Sequence, residues 1–236
     1  MPSFLKDISA FYGTGEKNET GQTLQEFLQD YDPYKYKTPS CTTDAVVFSY
    51  DKREKNGLSG LKVLLIKRKN HPSIGFWALP GGFVNLRENL EDTARRELEE
   101  ETGVQGIIME QIGAWGDYDR DPRARVITTA YMALIEAAKV KVQAGDDAAD
   151  ALWFDVCYEK KNQRKKDGWQ VSEYELCLKN EENGIQIAPL VEKRERGDLI
   201  RESRYTVIRR DTLAADHGTI LLEALLKLEE RIRKFA

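Results

Sequence analysis

The chain has 236 residues, of which 41% are hydrophobic and 32% charged, and its net charge is −4 at pH 7. This composition suits a soluble protein with a packed core, and the acidic balance argues against nucleic acid as the default partner. Cys41, Cys157 and Cys177 are widely spaced and form no C-x-x-C pair, so the sequence indicates neither a disulfide framework nor a zinc site. No stretch approaches the roughly 20 apolar residues that span a bilayer. A cytoplasmic location without a membrane partner is therefore expected.

The first part of the chain predicts a polar arm followed by two strands. Residues 1–21 are polar and interrupted by glycine, whereas residues 23–30 fit a short helix with one apolar face. Residues 42–50 and 61–69 are β-branched apolar runs joined by a loop, which is typical of paired strands. Within the second run, the continuous apolar block 63–66 predicts a strand that is buried on both faces.

The segment 79–104, LPGGFVNLRENLEDTARRELEEETGV, joins a glycine-rich turn to a glutamate-rich helix. At about 100° per residue, Glu97 and Glu101 fall within ~20° of the apolar stripe that begins at Leu90, and Glu100 lies on the adjoining flank. Unpaired charges that face a core are costly, and three neighbouring carboxylates repel one another. A divalent cation that prefers oxygen ligands, such as Mg²⁺, removes this conflict. The alternative is a solvated acidic helix with i to i+4 ion pairs.

The residue spacing in this segment is specific. Five residues separate Gly82 from Glu88, seven separate Glu88 from Arg96, and RELEEETGV completes the pattern G-x5-E-x7-R-E-U-x-E-E-x-G-U, where U is aliphatic. The pattern resembles the signature of the Nudix hydrolase family at every fixed position. The resemblance implies an α+β fold, the Nudix α/β/α sandwich with a mixed β-sheet, here extended by C-terminal strands and a terminal helix.

The resemblance also implies a metal site on the glutamate-rich helix. Glu97, Glu100 and Glu101 are expected to ligate Mg²⁺, with Mn²⁺ as an alternative, and the carbonyl of Gly81 or Gly82 is expected to assist. Among these residues, Glu100 and Glu101 are also assigned catalytic roles. Both glycines permit a close backbone approach that a side chain would block.

The remaining motif residues have expected structural roles. The resemblance implies that Glu88 pairs with Arg96 and braces the loop. Asn89 and Asp92 form a capping-box-like start to the helix, and Gly103 is placed to end it in a left-handed conformation.

Several residues outside the motif are candidate substrate contacts. Arg68 ends a strand just before the glycine turn and is suited to bidentate phosphate contacts. The loop GDYDRDPRAR carries Arg120 and Arg123 and is bracketed by Trp115 and Tyr118, so it is a candidate for gripping an anionic nucleotide by stacking and guanidinium contacts. The alternatives are an ordinary charged strand end and a solvated hairpin loop.

Residues outside the motif resemble one branch of the family. The runs YDPYKY, GFWALPGGFV and DYDRDPRARVITTAYMALI resemble the ADP-ribose pyrophosphatase branch and its regulatory relatives, over about residues 25–156. In Nudix enzymes a loop after these strands often supplies a catalytic carboxylate that activates water. Asp146 is assigned that role, with Asp147 and Asp150 as alternatives. For each of these aspartates, the competing interpretation is an ordinary turn former.

The expected organisation is an N-terminal arm over residues 1–40, a Nudix core over residues 41–157 and an extension over residues 158–236. The extension is expected to begin with a basic, flexible linker, YEKKNQRKKDG, and to end in an amphipathic helix over residues 215–234. His217, near the start of this helix, is assigned to capping or packing. The remaining predicted strands span residues 107–115, 125–135, 139–142, 169–178, 185–191 and 203–208.

The resulting functional hypothesis is a Mg²⁺-dependent hydrolase that cleaves the diphosphate of a nucleoside diphosphate linked to another moiety. ADP-ribose, giving AMP and ribose 5-phosphate, is the substrate that the resemblance favours, and a homodimer is expected because family members often pair. The alternative is an ADP-ribose-sensing Nudix-related transcriptional regulator that binds DNA. The intact motif and the strand-rich residues 158–236, without a clear helix-turn-helix, argue against it, so nucleic acid is not expected as a partner.

Overall fold

The computed structural model describes residues 4–50, 60–136, 142–143 and 148–235. The chain divides into two compact units, residues 1–39 and residues 40–236. In the first unit, helix α1 spans Leu24–Asp30, and Thr23 and Glu26 form a reciprocal capping box at its start. The expected short helix is therefore present.

The second unit is built on one mixed β-sheet. Its main order is β11-β10-β8-β7-β2-β1-β6-β5, while β3 pairs with β2, β4 with β1 and β9 with β8. Strands β1 and β6 are parallel, and the other pairs are antiparallel. The strands are β1 Ser40–Tyr50, β2 Lys62–Arg68, β3 Trp77–Ala78, β4 Gly81–Phe83, β5 Glu110–Trp115, β6 Val126–Glu136, β7 Ala148–Lys166, β8 Trp169–Asn180, β9 Ile185–Ile187, β10 Leu190–Arg196 and β11 Glu202–Arg209; the helices are α2 Leu90–Thr102 and α3 His217–Phe235.

The two helices of this unit cover opposite faces of the sheet. In β1, Ala45 and Val47 pack in the cluster that contains Leu98 of α2, whereas Val46 and Phe48 pack in the cluster that contains α3. Successive side chains of a strand point to opposite faces, so a continuous apolar run is needed where both faces are covered. The apolar block 63–66 of β2 is buried throughout, as its sequence predicts. The α/β/α sandwich expected from the motif is confirmed.

The linker expected after residue 157 is wrong. Strand β7 continues without interruption to Lys166 and pairs with β8 along this basic segment. Cross-strand ion pairs explain why a charged run remains extended: Lys161 lies 3.0 Å from Glu175, and Arg164 donates to Glu173 at 2.7 Å. The division at residue 157 thus falls inside a strand, and the three-part organisation stays a prediction.

One smaller boundary also differs from expectation. The single strand expected over residues 185–191 is two strands, β9 and β10, separated at Ala188 and Pro189. Proline has no N–H to donate to a ladder, which favours such a break. Most of the strand expected over residues 139–142 lies outside the described residues. Across the described part of the chain, no helix combines the length and apolar character required to span a membrane.

Replacing Leu221 by Ala tests the α3 side of the core. Leu221 is fully buried between α3 and the sheet, so Leu221→Ala is expected to lower the free energy of unfolding by about 2–5 kcal/mol. The matched control is Glu230→Ala on the same helix, which removes only an exposed ion pair to Lys234. Urea unfolding followed by circular dichroism measures both. Equal unfolding midpoints for the two variants would contradict the packing described.

Candidate active site

A glycine turn lies directly against the carboxylate of Glu97. Strand β4 pairs with β1, placing Gly82 opposite Thr43 and Gly81 opposite Asp44. A Cβ atom on Gly82 would lie 2.4 Å from the Glu97 carboxylate, and one on Gly81 would lie 2.0 Å from the carbonyl oxygen of Thr43. Position 81 therefore needs glycine because backbone lies against it, and glycine at position 82 leaves the space that the Glu97 carboxylate occupies.

Helix α2 ends as expected but starts differently. Gly103 follows its last residue with φ 72°, and its N–H donates to the carbonyl of Glu99. Asn89 occupies the N-cap position, but its side chain makes no capping hydrogen bond to the backbone. Its amide donates instead to Asp92 at 2.9 Å. The expected side-chain cap is therefore wrong, because Asn89 and Asp92 satisfy each other.

Arg96 is held between several acceptors. Its Nε and Nη2 donate to the two oxygens of Glu88, both at 2.9 Å, in the bidentate pair that the motif predicts. These hydrogen bonds lower the pKa of Glu88 to about 2. Nη1 of Arg96 donates to Glu97 at 2.6 Å and to Glu100 at 3.0 Å, and Nη2 also donates to the carbonyl of Phe83. The guanidinium thus links the glycine turn to the acidic face of α2.

Glu97 and Glu101 are the carboxylates that point into the structure. Glu101 is buried, and its Oε2 accepts the N–H of Gly81 at 2.8 Å. Burial raises the pKa of Glu101 to about 8, and burial also raises the pKa of Glu97. The Glu100 side chain is 57% exposed and points toward Arg96. The helical wheel therefore identifies correctly which two glutamates lie on the buried side.

The donor set suits a divalent cation with oxygen ligands. Glu97 and Glu101 line one pocket of about 410 Å³ together with Gly81 and Gly82. A carboxyl held this far from water gains from a nearby positive charge, which Mg²⁺ or Mn²⁺ supplies. Within the described residues, however, no three acidic, histidine or cysteine side chains converge closely enough to hold a metal as they stand. Glu100, turned toward Arg96, is the expected ligand that stands apart.

A second wall of the pocket, which includes Asp44, Arg120 and His217, carries a buried charged network. Arg120, whose side chain is 6% exposed, donates from Nε and Nη2 to the two oxygens of Asp216 at 2.9 and 2.8 Å. Its Nη2 also lies 3.8 Å from Asp44, which accepts the hydroxyl of Thr128 at 2.7 Å. The network joins β1, β6, the loop after β5 and the residue that precedes α3.

His217 closes this wall beside the glycine turn. Its Nδ1 accepts the N–H of Leu79 at 2.9 Å, which leaves the proton of the neutral ring on Nε2. That Nε2 lies 3.8 Å from Asp44, and burial lowers the pKa of His217. The assignment of His217 to helix packing is therefore incomplete: the ring also positions the turn that carries Gly81.

The expected substrate residues fall into different environments. Arg68 lines the pocket and donates from Nε to the carbonyl of Pro72, and Arg123 lines it while pairing with Asp121 and lying 5.2 Å from the ring centre of Phe83. Arg120 also lines the pocket, but its guanidinium is committed to buried carboxylates. The grip on substrate expected of Arg120 stays a prediction, and the structure shows its Nε and Nη2 already paired with Asp216.

Two other expected contacts do not reach this pocket. Neither Trp115 nor Tyr118 is among its described lining residues. Trp115 packs against the core on the α3 side of the sheet, and Tyr118 is 81% exposed. Their positions in sequence predict a stacking pair, but strand β5 places Trp115 against the core cluster instead. Asp146 lies outside the described residues, and its assigned role stays a prediction.

The family follows from comparison with known proteins. Residues 42–172 match the NUDIX domain family, which is more than half of the chain. The chain belongs to the Nudix family. The membership expected from the spacing of the Nudix motif is thus confirmed.

Three similar proteins bear on its function. Over 113 residues the chain is 42% identical to the ADPR responsive transcriptional repressor NtrR of Acinetobacter baylyi, covering 47% of this chain and 43% of that protein. Over 95 residues it is 43% identical to the ADP-ribose pyrophosphatase of Methanocaldococcus jannaschii, covering 40% of this chain and 55% of that protein. The chain thus spans about half the length of these two relatives.

The third comparison is structural. The NUDIX domain of Shewanella oneidensis NrtR, solved as a complex with ADP ribose, is 27% identical with a TM-score of 0.58. The match covers 88% of this chain and 99% of that domain. Both Nudix hydrolases and Nudix regulators are therefore among the proteins that this chain resembles.

The Nudix motif did not reveal the second wall of the pocket. Asp44 lines the pocket and is held by Thr128 and Arg120, and Asp216 pairs with the same arginine; none of the three acceptor or donor residues Asp44, Thr128 and Asp216 has a place in the motif. A signal for one of them exists: Asp44 is a charged residue that precedes the apolar run AVVF within β1. A buried charge in such a strand needs a partner, which predicts a cation without saying which one.

Replacing Arg120 or Arg123 by Ala distinguishes a buried ion pair from an exposed one in this Nudix fold. Arg120→Ala leaves Asp44 and Asp216 without their cation, so the free energy of unfolding is expected to fall by about 3–5 kcal/mol. Arg123→Ala breaks the partly exposed pair with Asp121 and is expected to cost about 0–1 kcal/mol. Chemical denaturation of both variants measures the difference. Similar losses would contradict the separate roles assigned to the two arginines.

Proposed function

We propose that this protein is a Mg²⁺-dependent hydrolase that cleaves the diphosphate of a nucleoside diphosphate linked to another moiety. The observation that carries the proposal is the convergence of Glu97 and Glu101 with the turn at Gly81 and Gly82, in a pocket also lined by arginine. A diphosphate is polyanionic, so a site for it needs positive charge on both sides of the bond that breaks.

Glu97, Glu100 and Glu101 are the proposed metal ligands, with a carbonyl of the glycine turn, chiefly Gly82, as a further oxygen donor. Mg²⁺ is the proposed cofactor, and Mn²⁺ is the alternative. When bound, such an ion neutralises charge on the diphosphate and lowers the pKa of water. Turning the Glu100 side chain away from Arg96 brings a third carboxylate toward the other two, since all three lie within one turn of α2.

The arginines have separate proposed roles. Arg96 holds the carboxylates of Glu97 and Glu88 in fixed positions, so that the ligands are oriented before substrate arrives. Arg68 and Arg123 face the pocket and are the proposed contacts to phosphate oxygens, because a guanidinium matches phosphate geometry. Arg120 acts indirectly by fixing Asp44 and Asp216.

The base that activates water is proposed among the acidic residues. Asp146 is the sequence-based candidate, on the loop before β7, and Glu100 and Glu101 are the motif candidates. Glu101 is already held by the N–H of Gly81, which fixes one of its oxygens and leaves the other for the pocket.

ADP-ribose is the proposed substrate, with AMP and ribose 5-phosphate as products. Support comes from the similarity to an ADP-ribose pyrophosphatase and to a Nudix domain solved with ADP ribose. We further propose a cytoplasmic location and a homodimer. Light scattering tests the homodimer directly.

A regulator that senses ADP-ribose is the second candidate. The 42% identity to a transcriptional repressor favours it. In the described part of the chain, the helices of the second unit are α2, which carries the motif, and α3, which packs on the sheet. Neither is joined to another helix by the short turn of a helix-turn-helix motif. The hydrolase is therefore the better supported proposal.

A Mg²⁺-supported screen compares ADP-ribose with NADH, nucleotide sugars, dinucleoside polyphosphates and oxidised nucleoside triphosphates as substrates. The expected result is hydrolysis of ADP-ribose. Glu101→Gln keeps an acceptor for the N–H of Gly81 but removes the charge, so kcat/KM is expected to fall at least ~100-fold. Glu100→Gln is expected to lose activity similarly. Glu99→Gln, on the exposed far side of α2, is the matched control and is expected to keep wild-type activity.

The hydrolase proposal has clear contrary outcomes. A near wild-type rate for Glu101→Gln would contradict its role as a metal ligand. Tight binding of ADP-ribose without hydrolysis of any compound in the screen would instead favour the sensor.

The regulator is tested separately by electrophoretic mobility shift on DNA from the chain's own promoter region. With a net charge of −4, the protein is expected to give no sequence-specific shift at physiological salt, with or without ADP-ribose. A salt-dependent shift that ADP-ribose reverses would revive the regulator.

A further inference from the structure

Two cysteines lie directly opposite each other outside the pocket. Cys157 of β7 and Cys177 of β8 are cross-strand partners in the antiparallel ladder. Cys157 is exposed and Cys177 partly exposed. The third cysteine, Cys41, pairs with Ile127 on the parallel strand β6 and so faces no thiol in that ladder.

The ladder fixes the separation of the two backbones. Val156 donates its N–H to Leu61 of the chain leading into β2, and Leu176 donates its N–H to Pro189. The polar backbone groups of these two residues therefore point away from the β7–β8 pair. The direction of the backbone N–H and C=O groups alternates along a strand. These groups of Cys157 and Cys177 therefore point toward each other. In such a hydrogen-bonded pair the Cα atoms are about 5.5 Å apart, within the roughly 4.4–6.8 Å range of disulfides.

The same geometry makes the bond reversible. Directly opposed Cβ atoms in a sheet are about 4.5–5.5 Å apart, whereas disulfides have about 3.5–4.5 Å. Closing the bond therefore requires a small approach of the two strands, which disfavours the oxidised form relative to a relaxed structural disulfide. Cross-strand geometry thus permits the bond without locking it.

We propose that Cys157 and Cys177 are a reversible disulfide-forming pair, oxidised by a small-molecule disulfide of the glutathione type. The Cys157 thiolate attacks one sulfur of the oxidant, forming a mixed disulfide and releasing one thiolate, which takes up a proton. The Cys177 thiolate then attacks the Cys157 sulfur, forming the internal bond and releasing the second thiol. The two protein thiols lose two electrons and two protons, and one oxidant disulfide becomes two thiols.

The exposure of the two cysteines sets the order of these two steps. Cys157 is the more accessible residue and reacts with the oxidant first. Cys177 lies opposite it and resolves the mixed disulfide. Burial and the adjacent Cys177 thiol raise the pKa of Cys157, which keeps the thiolate fraction low and the first step slow. The proximity of Cys177 then favours the second step, because it is intramolecular.

The disulfide would act on the hairpin made by β7 and β8. It would tie the strands together near the open end of their ladder and enclose the intervening residues 158–176, which carry the cross-strand ion pairs of the basic segment. Local unfolding of that hairpin would then be restricted. This role is independent of the proposed hydrolysis, since neither cysteine lines the catalytic pocket.

The test uses the full chain incubated in reduced and oxidised glutathione, quenched with acid, alkylated and weighed by intact mass spectrometry. The expected product has lost two hydrogen masses, gives one peptide that links residues 157 and 177, and returns to the reduced mass with dithiothreitol. Cys157→Ser and Cys177→Ser are expected to stop at a glutathione adduct, whereas Cys41→Ser is expected to form the internal bond as the wild type does.

Contrary results are equally distinct. A wild-type chain that accumulates only glutathione adducts, or only dimers linked through Cys41, would overturn the proposal. Peptide mapping of the wild type decides the matter even if a serine variant folds poorly. Slower hydrogen exchange across residues 158–176 in the oxidised chain is the expected physical consequence, and an unchanged exchange rate there would overturn the effect assigned to the hairpin.

Discussion

The close packing of the α2 carboxylates against the glycine turn is the constraint on which the site depends. Pairing of β4 with β1 fixes the turn, and Gly82 then leaves just enough room for the carboxylate of Glu97. Glu101 is anchored to the same turn by the N–H of Gly81. Any side chain at position 82 would displace the acid that it contacts. The turn therefore positions Glu97 and Glu101 side by side, while Glu100 must turn away from Arg96 to join them at the proposed metal site.

Two arginines that line the pocket perform different physical tasks. Arg96 lies at the rim and distributes its donors among Glu88, Glu97 and Glu100, so its bonds can be exchanged when a cation competes for the acids. Arg120 is buried, and its partner Asp216 is bound at both oxygens. Breaking that pair would leave a buried charge without its partner. Because this is costly, the second wall resists rearrangement. The pocket thus combines exchangeable contacts at the acidic face of α2 with a fixed buried ion pair.

The C-terminal strands belong to the same sheet as the motif. Strand β7 pairs with β2 at one end and with β8 along its length, so residues on both sides of position 157 share one hydrogen-bonded ladder. Helix α3 covers the other face of this sheet and delivers His217 to the turn before Gly81. The extension therefore supports the site directly. The thiol pair between β7 and β8 lies within this support and outside the pocket.

The sequence by itself determined the motif, the family, the buried side of α2 and the pairing of Glu88 with Arg96, because these depend on spacing along one helix and one turn. It also predicted most strands, since their apolar runs are local signals. Only the tertiary structure brought Asp44, Arg120 and His217 together, as they come from three distant elements that meet in the sheet. The sequence also predicts a linker for the basic segment before β8, which is a strand in the structure. Its extended form is stabilised by ion pairs to a neighbouring strand, and local sequence does not specify that neighbour.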